Sequence, residues 1–286
     1  MSTELNSLTI KAPAKLNLFL HITAQRQDGY HELETLFQFL SVHDLLHVQH
    51  TNDGHIHLPT AIDGLAVEDN LVYRAAQLLL PLRKNTNDGA TIMLEKHLPM
   101  GGGLGGGSSD AASTLIALNH LWGLGIARDD LALLGLQLGA DVPVFIHGQA
   151  TFARGVGEQF SPAAPDEVWY LIIDPGVHVS TADVFRHPEL VRNTPKINVD
   201  SVTGYFDWKN YHNDCEKLVR ELCPPVAKAI DWLVEYAPTR MTGTGACVFG
   251  CFTTQTAALA ALSELPSEFS GFVAQGLNTS PAWQGL

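Results

Sequence analysis

Cysteine is scarce in this chain: four residues in 286, Cys215, Cys223, Cys247 and Cys251. Their spacing matches no metal-ligand pattern. Cys247 and Cys251 fall in an apolar, strand-like stretch, so buried free thiols are expected, which suits a reducing cytosol. Long apolar runs are missing as well. None approaches the roughly 20 residues of a membrane span, and the first residues lack the basic-then-apolar pattern of a signal peptide. A cytoplasmic protein is expected. Basic residues are also few, 17 against 30 acidic, for a net charge of −13. That balance argues against a broad nucleic-acid or anionic-membrane surface. Any anionic ligand must therefore find local positive potential, from backbone amides and a few placed lysines. Hydrophobic residues make up 45% and charged residues 16%, enough for a substantial core in one large domain or two.

Glycine, by contrast, is concentrated. The run Pro99-Met-Gly-Gly-Gly-Leu-Gly-Gly-Gly-Ser-Ser-Asp110 holds six glycines between positions 101 and 107. Ordering such a stretch costs much backbone entropy, so it is kept where backbone must turn tightly or approach a ligand closely. Upstream, residues 90–97 alternate apolar and polar, as a half-buried strand does. Downstream, Ala111, Leu115, Leu118 and Trp122 recur at helical spacing, with Ser108, Ser109 and Asp110 expected as cap residues. Strand, glycine loop and helix N-terminus together form a phosphate cradle, because free N–H groups and the positive end of the helix dipole face one point. A P-loop is excluded, since Ser108 rather than Lys-Ser/Thr follows Gly107. A Rossmann site would require a continuously apolar strand before the loop and an acidic residue closing the next strand, and neither is present. A linker would not be abutted by a strong strand and a strong helix.

Elsewhere the periodicity predicts strands over 8–22, 32–40, 45–50, 55–58, 151–153, 168–173, 248–252 and 272–276. Helices are predicted over 70–82, 129–138, 215–222, 226–236 and 256–262, with a short one in 139–146 that carries Pro143 in its first turn. Segregated strands and helices of this kind indicate an α+β fold. Residues 188–207 are expected to form a surface excursion, and a domain boundary is expected near 150–160. Four features carry candidate chemistry. Lys15 and Asn17, two apart in Pro13-Ala-Lys-Leu-Asn17, share one face of an otherwise apolar strand, either as the polar face of an edge strand or as a buried functional pair. Asp141, in Gly-Ala-Asp-Val-Pro, is either the N-cap of the short helix or a catalytic carboxylate. The turn Met241-Thr-Gly-Thr-Gly-Ala-Cys247 is either a tight turn or a further source of N–H donors. Gln27-Asp-Gly-Tyr-His31 is a hairpin turn that presents Tyr30 and His31 as stacking and hydrogen-bonding groups. His43, His47, His50, His55 and His57 read as solvated side chains.

Taken together and in order, Pro13-Ala-Lys-Leu-Asn17, Leu98 through Asp110 and Thr242-Gly-Thr-Gly-Ala-Cys247 resemble the three signatures of the GHMP kinases, the family of galactokinase, homoserine kinase and mevalonate kinase. Arg26-Gln-Asp-Gly-Tyr-His-Glu32, Leu36-Phe-Gln-Phe39, Gly139-Ala-Asp-Val-Pro-Val-Phe145 and Asn193-Thr-Pro195 are similar to the branch whose substrate carries a cytidine diphosphate, in the non-mevalonate isoprenoid pathway. The resemblance implies two α+β domains, a ribosomal-S5-domain-2-like one over 1–155 and a ferredoxin-like one over 156–286, with the site between them. It implies ATP along Pro99, Met100, Gly101, Gly102, Gly103, Leu104, Gly105, Gly106, Gly107, Ser108 and Ser109, with Asn70 and Lys96 near the nucleoside. It implies Asp141 as the base for the substrate hydroxyl and Lys15 as its partner. Tyr30 and Phe185 would sandwich the cytosine, His31 would read its polar edge, and Asn17 and Thr181 would touch the sugar-alcohol and diphosphate parts. Mg²⁺ is expected to travel with ATP, with no side chain assigned to it. A monomer or weak homodimer is expected, without nucleic-acid or membrane partners. The alternatives are a relative acting on another small alcohol, of the homoserine or mevalonate type, and a non-catalytic nucleotide sensor on the same fold.

Overall fold

Two long antiparallel strands, β1 (Ser7–Gln25) and β2 (His31–Thr51), organise the first half of the chain in a computed structural model that describes residues 6–60, 65–197 and 210–286. The Asp-Gly turn joins them as its sequence demands. Arg26 N–H donates to Tyr30 O at 2.7 Å, and Asp28 accepts from the Tyr30 amide at 3.1 Å. The chain continues through β3 (Ile56–His57), α1 (Leu71–Leu79), β4 (Gly89–Glu95), α2 (Gly106–Leu121), α3 (Arg128–Leu136), α4 (Val142–His147), β5 (Thr151–Gly155) and β6 (Gln159–Pro162). Then follow β7 (Trp169–Asp174), α5 (Thr181–Arg186), α6 (Asp214–Leu222), α7 (Pro224–Leu233), β8 (Thr239–Met241), β9 (Val248–Phe252), α8 (Gln255–Ser263) and β10 (Ser270–Leu277).

β2 is the hub of the first sheet. It pairs with β1 along nearly its whole length, with β4 through residues 45–51 and with β5 through residues 33–37. In the second sheet the order is β10-β7-β9-β8, all antiparallel. With helices between β7 and β8 and between β9 and β10, this is the ferredoxin-like split β-α-β pattern. β10 overruns its sheet and pairs with β2 at Gly276↔Leu40 and Leu277↔Phe39, joining the two sheets edge to edge.

Three apolar clusters fill the interior. One gathers α1, α2 and α4 against β1, β2 and β4, around Phe39, Ile92, Leu115 and Phe145. A second packs α6, α7 and α8 around Leu171, Ile173 and Val248. A third lies between them and is built from Ala14, Leu16, Leu18 and Phe19 of β1 with Tyr170, Ile172 and Phe249. β1 contributes to all three: Ile10 and Ala12 to the first, Leu20 and Ile22 to the second.

The structure differs from the periodicity at several points, among them α5 (Thr181–Arg186), which no apolar pattern announces. Residues 41–44 do not break β2, because the fully buried Asp44 carboxylate finds its partners outside the strand, in Lys96 Nζ and the amides of His97 and Leu98. α2 starts at Gly106 rather than at the serines, so Ser108, Ser109 and Asp110 lie inside the helix. β6 and β8 are short strands that the apolar pattern does not announce. Residues 198–207 of the expected surface excursion lie outside the described residues.

Candidate functional site

Lys15 sits in the middle of β1 with only 3% of its surface exposed, which removes the edge-strand reading. An ammonium in that position needs acceptors, and it has three. Its Nζ donates to Asn17 Oδ1 at 2.5 Å and to Gly103 O at 3.1 Å, and lies 3.2 Å from Asp141 Oδ2. Asn17 is held in turn: its Nδ2 donates to Thr35 Oγ1 at 2.9 Å, and its backbone N–H donates to Thr242 Oγ1 at 3.0 Å. Asn17 therefore orients the lysine while lining the same cavity. Asp141 does occupy the N-cap position of α4, but its carboxylate accepts no capping bond. It faces Lys15 and is about one-third exposed, so one oxygen is within reach of a ligand.

Above this pair lies the glycine run. Gly105 is the N-cap residue of α2, at φ +72°, and no side chain caps the helix. The first intrahelical bond is donated by Ser109 N–H to Gly105 O, at 2.8 Å. The amides of Gly106, Gly107 and Ser108 thus open toward the cavity as unused donors at the positive end of a 16-residue helix. Gly103, at φ +77°, is fixed by contact as well as by dihedral. A Cβ there would lie 2.4 Å from Thr242 O and 3.1 Å from Gly245 O. The turn over residues 241–247, the third of the three signatures, therefore backs the loop, and Cys247 N–H donates to Gly102 O at 3.1 Å. Gly243 and Thr244 of that turn reach the cavity wall. Ser109 does not: it is fully buried, and its hydroxyl has no partner.

Lys96 lines the cavity and also ties α2 to β2. Its Nζ is 2.5 Å from Asp44 Oδ2 and 3.0 Å from Asp110 Oδ2. Burial works against the Lys96 charge, yet the two carboxylates raise its pKa above the ordinary lysine value. Two carboxylates share this single cation. Burial, partly offset by Lys96 and reinforced by Asp44, pushes Asp110 up to about 7. Asp110 Oδ1 is buried with no hydrogen-bond partner. Neither Asp44 nor the pairing role of Asp110 was legible in advance, since both partners are distant in sequence. Asn70 caps α1 by accepting from Val72 N–H at 2.9 Å, and lines the cavity beside Lys96.

The far end of the cavity is aromatic. Tyr30 stands 65% exposed at the hairpin tip. His31 is buried and stacks on Phe185, with ring centroids 5.0 Å apart and planes inclined by 28°. Thr181 Oγ1 and Thr244 Oγ1 lie 2.8 Å apart and join α5 to the third turn. All of these residues, with Lys15, Asp141 and the glycine run, line one cavity of about 1000 Å³. Pro99, Met100, Gly101, Gly102, Leu104 and Ser108 line it too. Of the five histidines read as solvated, three face carboxylates: His47 with Glu95 at 2.9 Å, His50 with Asp88 at 3.1 Å and His57 with Asp53 at 2.6 Å. Among the described residues, no three His, Cys, Asp or Glu side chains are grouped to hold a metal ion, and no helix is long and apolar enough to cross a membrane.

An uncapped helix end over a lysine–carboxylate pair is an arrangement suited to placing a phosphoryl group against an alcohol. Comparison with known proteins agrees. Residues 70–149 match the family described as GHMP kinases N terminal domain, and residues 207–271 match GHMP kinases C terminal. The 4-diphosphocytidyl-2-C-methyl-D-erythritol kinase of Shewanella woodyi is 57% identical over 282 residues, covering 98% of this chain and 97% of that protein. Its counterpart from Shewanella baltica is 57% identical over 273 residues, 94% of each chain. A crystal structure of 4-(cytidine 5'-diphospho)-2C-methyl-D-erythritol kinase superposes with a TM-score of 0.80 at 34% identity, covering 94% of this chain and 99% of that one. Homoserine kinase from Cytophaga hutchinsonii, at 17% identity and a TM-score of 0.67, shares the fold. With its loop, its paired lysine and aspartate and its two-domain architecture, the chain belongs to the GHMP kinase family.

Proposed function

We propose that this protein transfers the γ-phosphoryl group of ATP to the 2-hydroxyl of 4-diphosphocytidyl-2-C-methyl-D-erythritol, giving the 2-phosphate and ADP. The observation that carries the reading is the continuity of one cavity. Unused helix amides at one end, the Lys15–Asp141 pair in the middle and the Tyr30, His31 and Phe185 rings at the other end line a single space. A small alcohol without a base would have no use for the third group.

In this reading the triphosphate lies along 99–108, its oxygens accepting from the amides of Gly106, Gly107 and Ser108. Asn70 and Lys96 flank the nucleoside end. The substrate hydroxyl sits against Asp141. Its oxygen attacks the γ-phosphorus, the bond from that phosphorus to the ADP oxygen breaks, and the hydroxyl proton passes to the Asp141 carboxylate. Lys15 keeps Asp141 aimed and supplies positive charge where the transferred group gathers negative charge. Asn17 holds Lys15, and Thr181 stands beside the diphosphate path. Tyr30 and Phe185 give the cytosine its apolar faces. Mg²⁺ neutralises phosphate charge when bound. Among the described residues no three His, Cys, Asp or Glu side chains are grouped to hold it, and Mg²⁺ ordinarily keeps several waters and is bound largely through substrate phosphates. Two of the four free cysteines, Cys215 and Cys247, are buried, which suits a cytoplasmic setting.

A coupled ADP-release assay with the cytidine substrate, with homoserine and mevalonate as competitors, tests the assignment. Turnover of the cytidine substrate alone is the expected result. Preference for either small alcohol, or nucleotide binding without any turnover, would overturn it.

A further inference from the structure

Arg192 was not singled out by sequence, yet it occupies the junction behind the aromatic end of the cavity. Its guanidinium makes four contacts. Nε lies 3.0 Å from His31 Nε2, Nη1 donates to Leu190 O at 3.0 Å, and Nη2 donates to Phe185 O at 2.9 Å and His187 O at 2.7 Å. An arginine N–H can only donate. His31 Nε2 must then present its lone pair, and the proton of the neutral ring must sit on Nδ1. Among the described residues Nδ1 has no protein partner, and it is not a sealed, unsatisfied atom. His31 is on the cavity wall. Burial first, and then the Arg192 charge, lower the His31 pKa below its ordinary value, which keeps the ring neutral. The same guanidinium holds the backbone carbonyl of Phe185, whose ring stacks on His31. One cation therefore fixes both the proton position of the reading group and the seat of the stacking group.

We propose that Arg192 is a specificity-determining positioning residue, which locks His31 as an Nδ1–H donor facing the acceptor edge of the substrate base and so selects cytosine over uracil. This rests on the cytidine reading of the site. Cytosine N3 is a bare acceptor. Uracil N3 carries a hydrogen and would set donor against donor, leaving a buried N–H unpaired. Without Arg192, the imidazole is free to exchange tautomers and can satisfy either base.

The test pairs kinetics with a spectroscopic measurement. In the wild type, long-range ¹⁵N–¹H correlation of His31 should show Nε2 as the unprotonated nitrogen. In Arg192→Met the tautomers should mix. The KM for the cytidine substrate should rise about 10- to 100-fold and the preference over its uridine counterpart should fall by about tenfold. The kcat at saturation and the KM for ATP should stay within about threefold. Arg192→Lys, which keeps the charge but not the fork, should fall between the two. A wild-type His31 protonated on Nε2 would overturn the proposal, as would an Arg192→Lys or Arg192→Met enzyme with unchanged base preference. The wild-type spectrum decides even if Arg192→Met fails to fold. Absence of any turnover by the wild type would instead remove the cytidine reading and leave the tautomer result standing on its own.

Discussion

Replacing Asp141 by asparagine separates chemistry from architecture at this site. The carboxylate is about one-third exposed, while its partner Lys15 is 3% exposed. Removing one member of a fully buried ion pair costs about 3–5 kcal/mol, because a charge is left without compensation. Here the loss should be far smaller, about 1 kcal/mol. Lys15 keeps Asn17 Oδ1 at 2.5 Å and Gly103 O at 3.1 Å, and an asparagine oxygen can still face it. The amides of 106–108 are untouched, so affinity for a non-hydrolysable ATP analogue, measured by calorimetry, should change by no more than about threefold. What disappears, on the proposed mechanism, is the proton acceptor. Positioned general bases contribute about 10²- to 10⁴-fold, or about 2.7–5.5 kcal/mol of barrier. The kcat from ADP release should therefore fall by two to four orders of magnitude, roughly three times or more the stability loss in free-energy terms. Turnover within about tenfold of wild type in a folded variant would remove Asp141 from the proton transfer. A parallel collapse of nucleotide affinity would place it on the wrong ligand.

Gly103→Val should abolish binding of the ATP analogue, since any Cβ meets Thr242 O at 2.4 Å and the φ of +77° excludes β-branched residues; calorimetry checks this. Tyr30→Ala and Phe185→Ala should raise the KM for the cytidine substrate, by about tenfold each, with the KM for ATP unchanged. A shift in the ATP value instead would refute the stacking assignment. Lys96→Met should cost about 3–5 kcal/mol in urea unfolding, because it removes the cation that two buried carboxylates share, whereas Asp110→Asn, which leaves Lys96 paired with Asp44, should cost much less. Equal losses would contradict the shared-cation geometry. His21 is buried with both ring nitrogens unpartnered, beside His212, Asp214 and Arg240. Burial and then His212 hold its pKa near 4 against 6.5 in the open chain. Its folded form resists protonation, so the stability it allows is complete above pH 6.5 and drains away as the pH falls toward 4. His21→Phe should flatten the melting temperature across that window, and an unchanged slope would exclude His21 as the cause.

Much of the candidate site is legible because glycine runs and buried lysines are costly and therefore informative. The strand before the loop and the helix after it appear as β4 and α2. The start of α2 was misplaced for a physical reason. Ser108, Ser109 and Asp110 look like caps, but the first amides of α2 have no side-chain cap, and Gly105 at φ +72° turns the chain into the helix instead. The two meanings of Asp141 could not be separated by spacing: it holds the cap position and yet gives its carboxylate to Lys15, 126 positions away in the chain. Residues 41–44 read as a break because an acidic residue in a strand usually faces water. Asp44 satisfies itself with groups 52 to 54 positions further on, which no local pattern announces. Arg192 and His21 stayed invisible for the same reason.

β1 has a mechanical consequence. Its first residues are packed in one apolar cluster and its last in another, with Lys15 lying between those anchorages. A shift of one cluster against the other would have to bend this strand or carry it along, and its middle is also tied through Asn17 to Thr35 and Thr242. The ammonium thus sits between two anchorages, one in each cluster, which together fix where it stands relative to both halves.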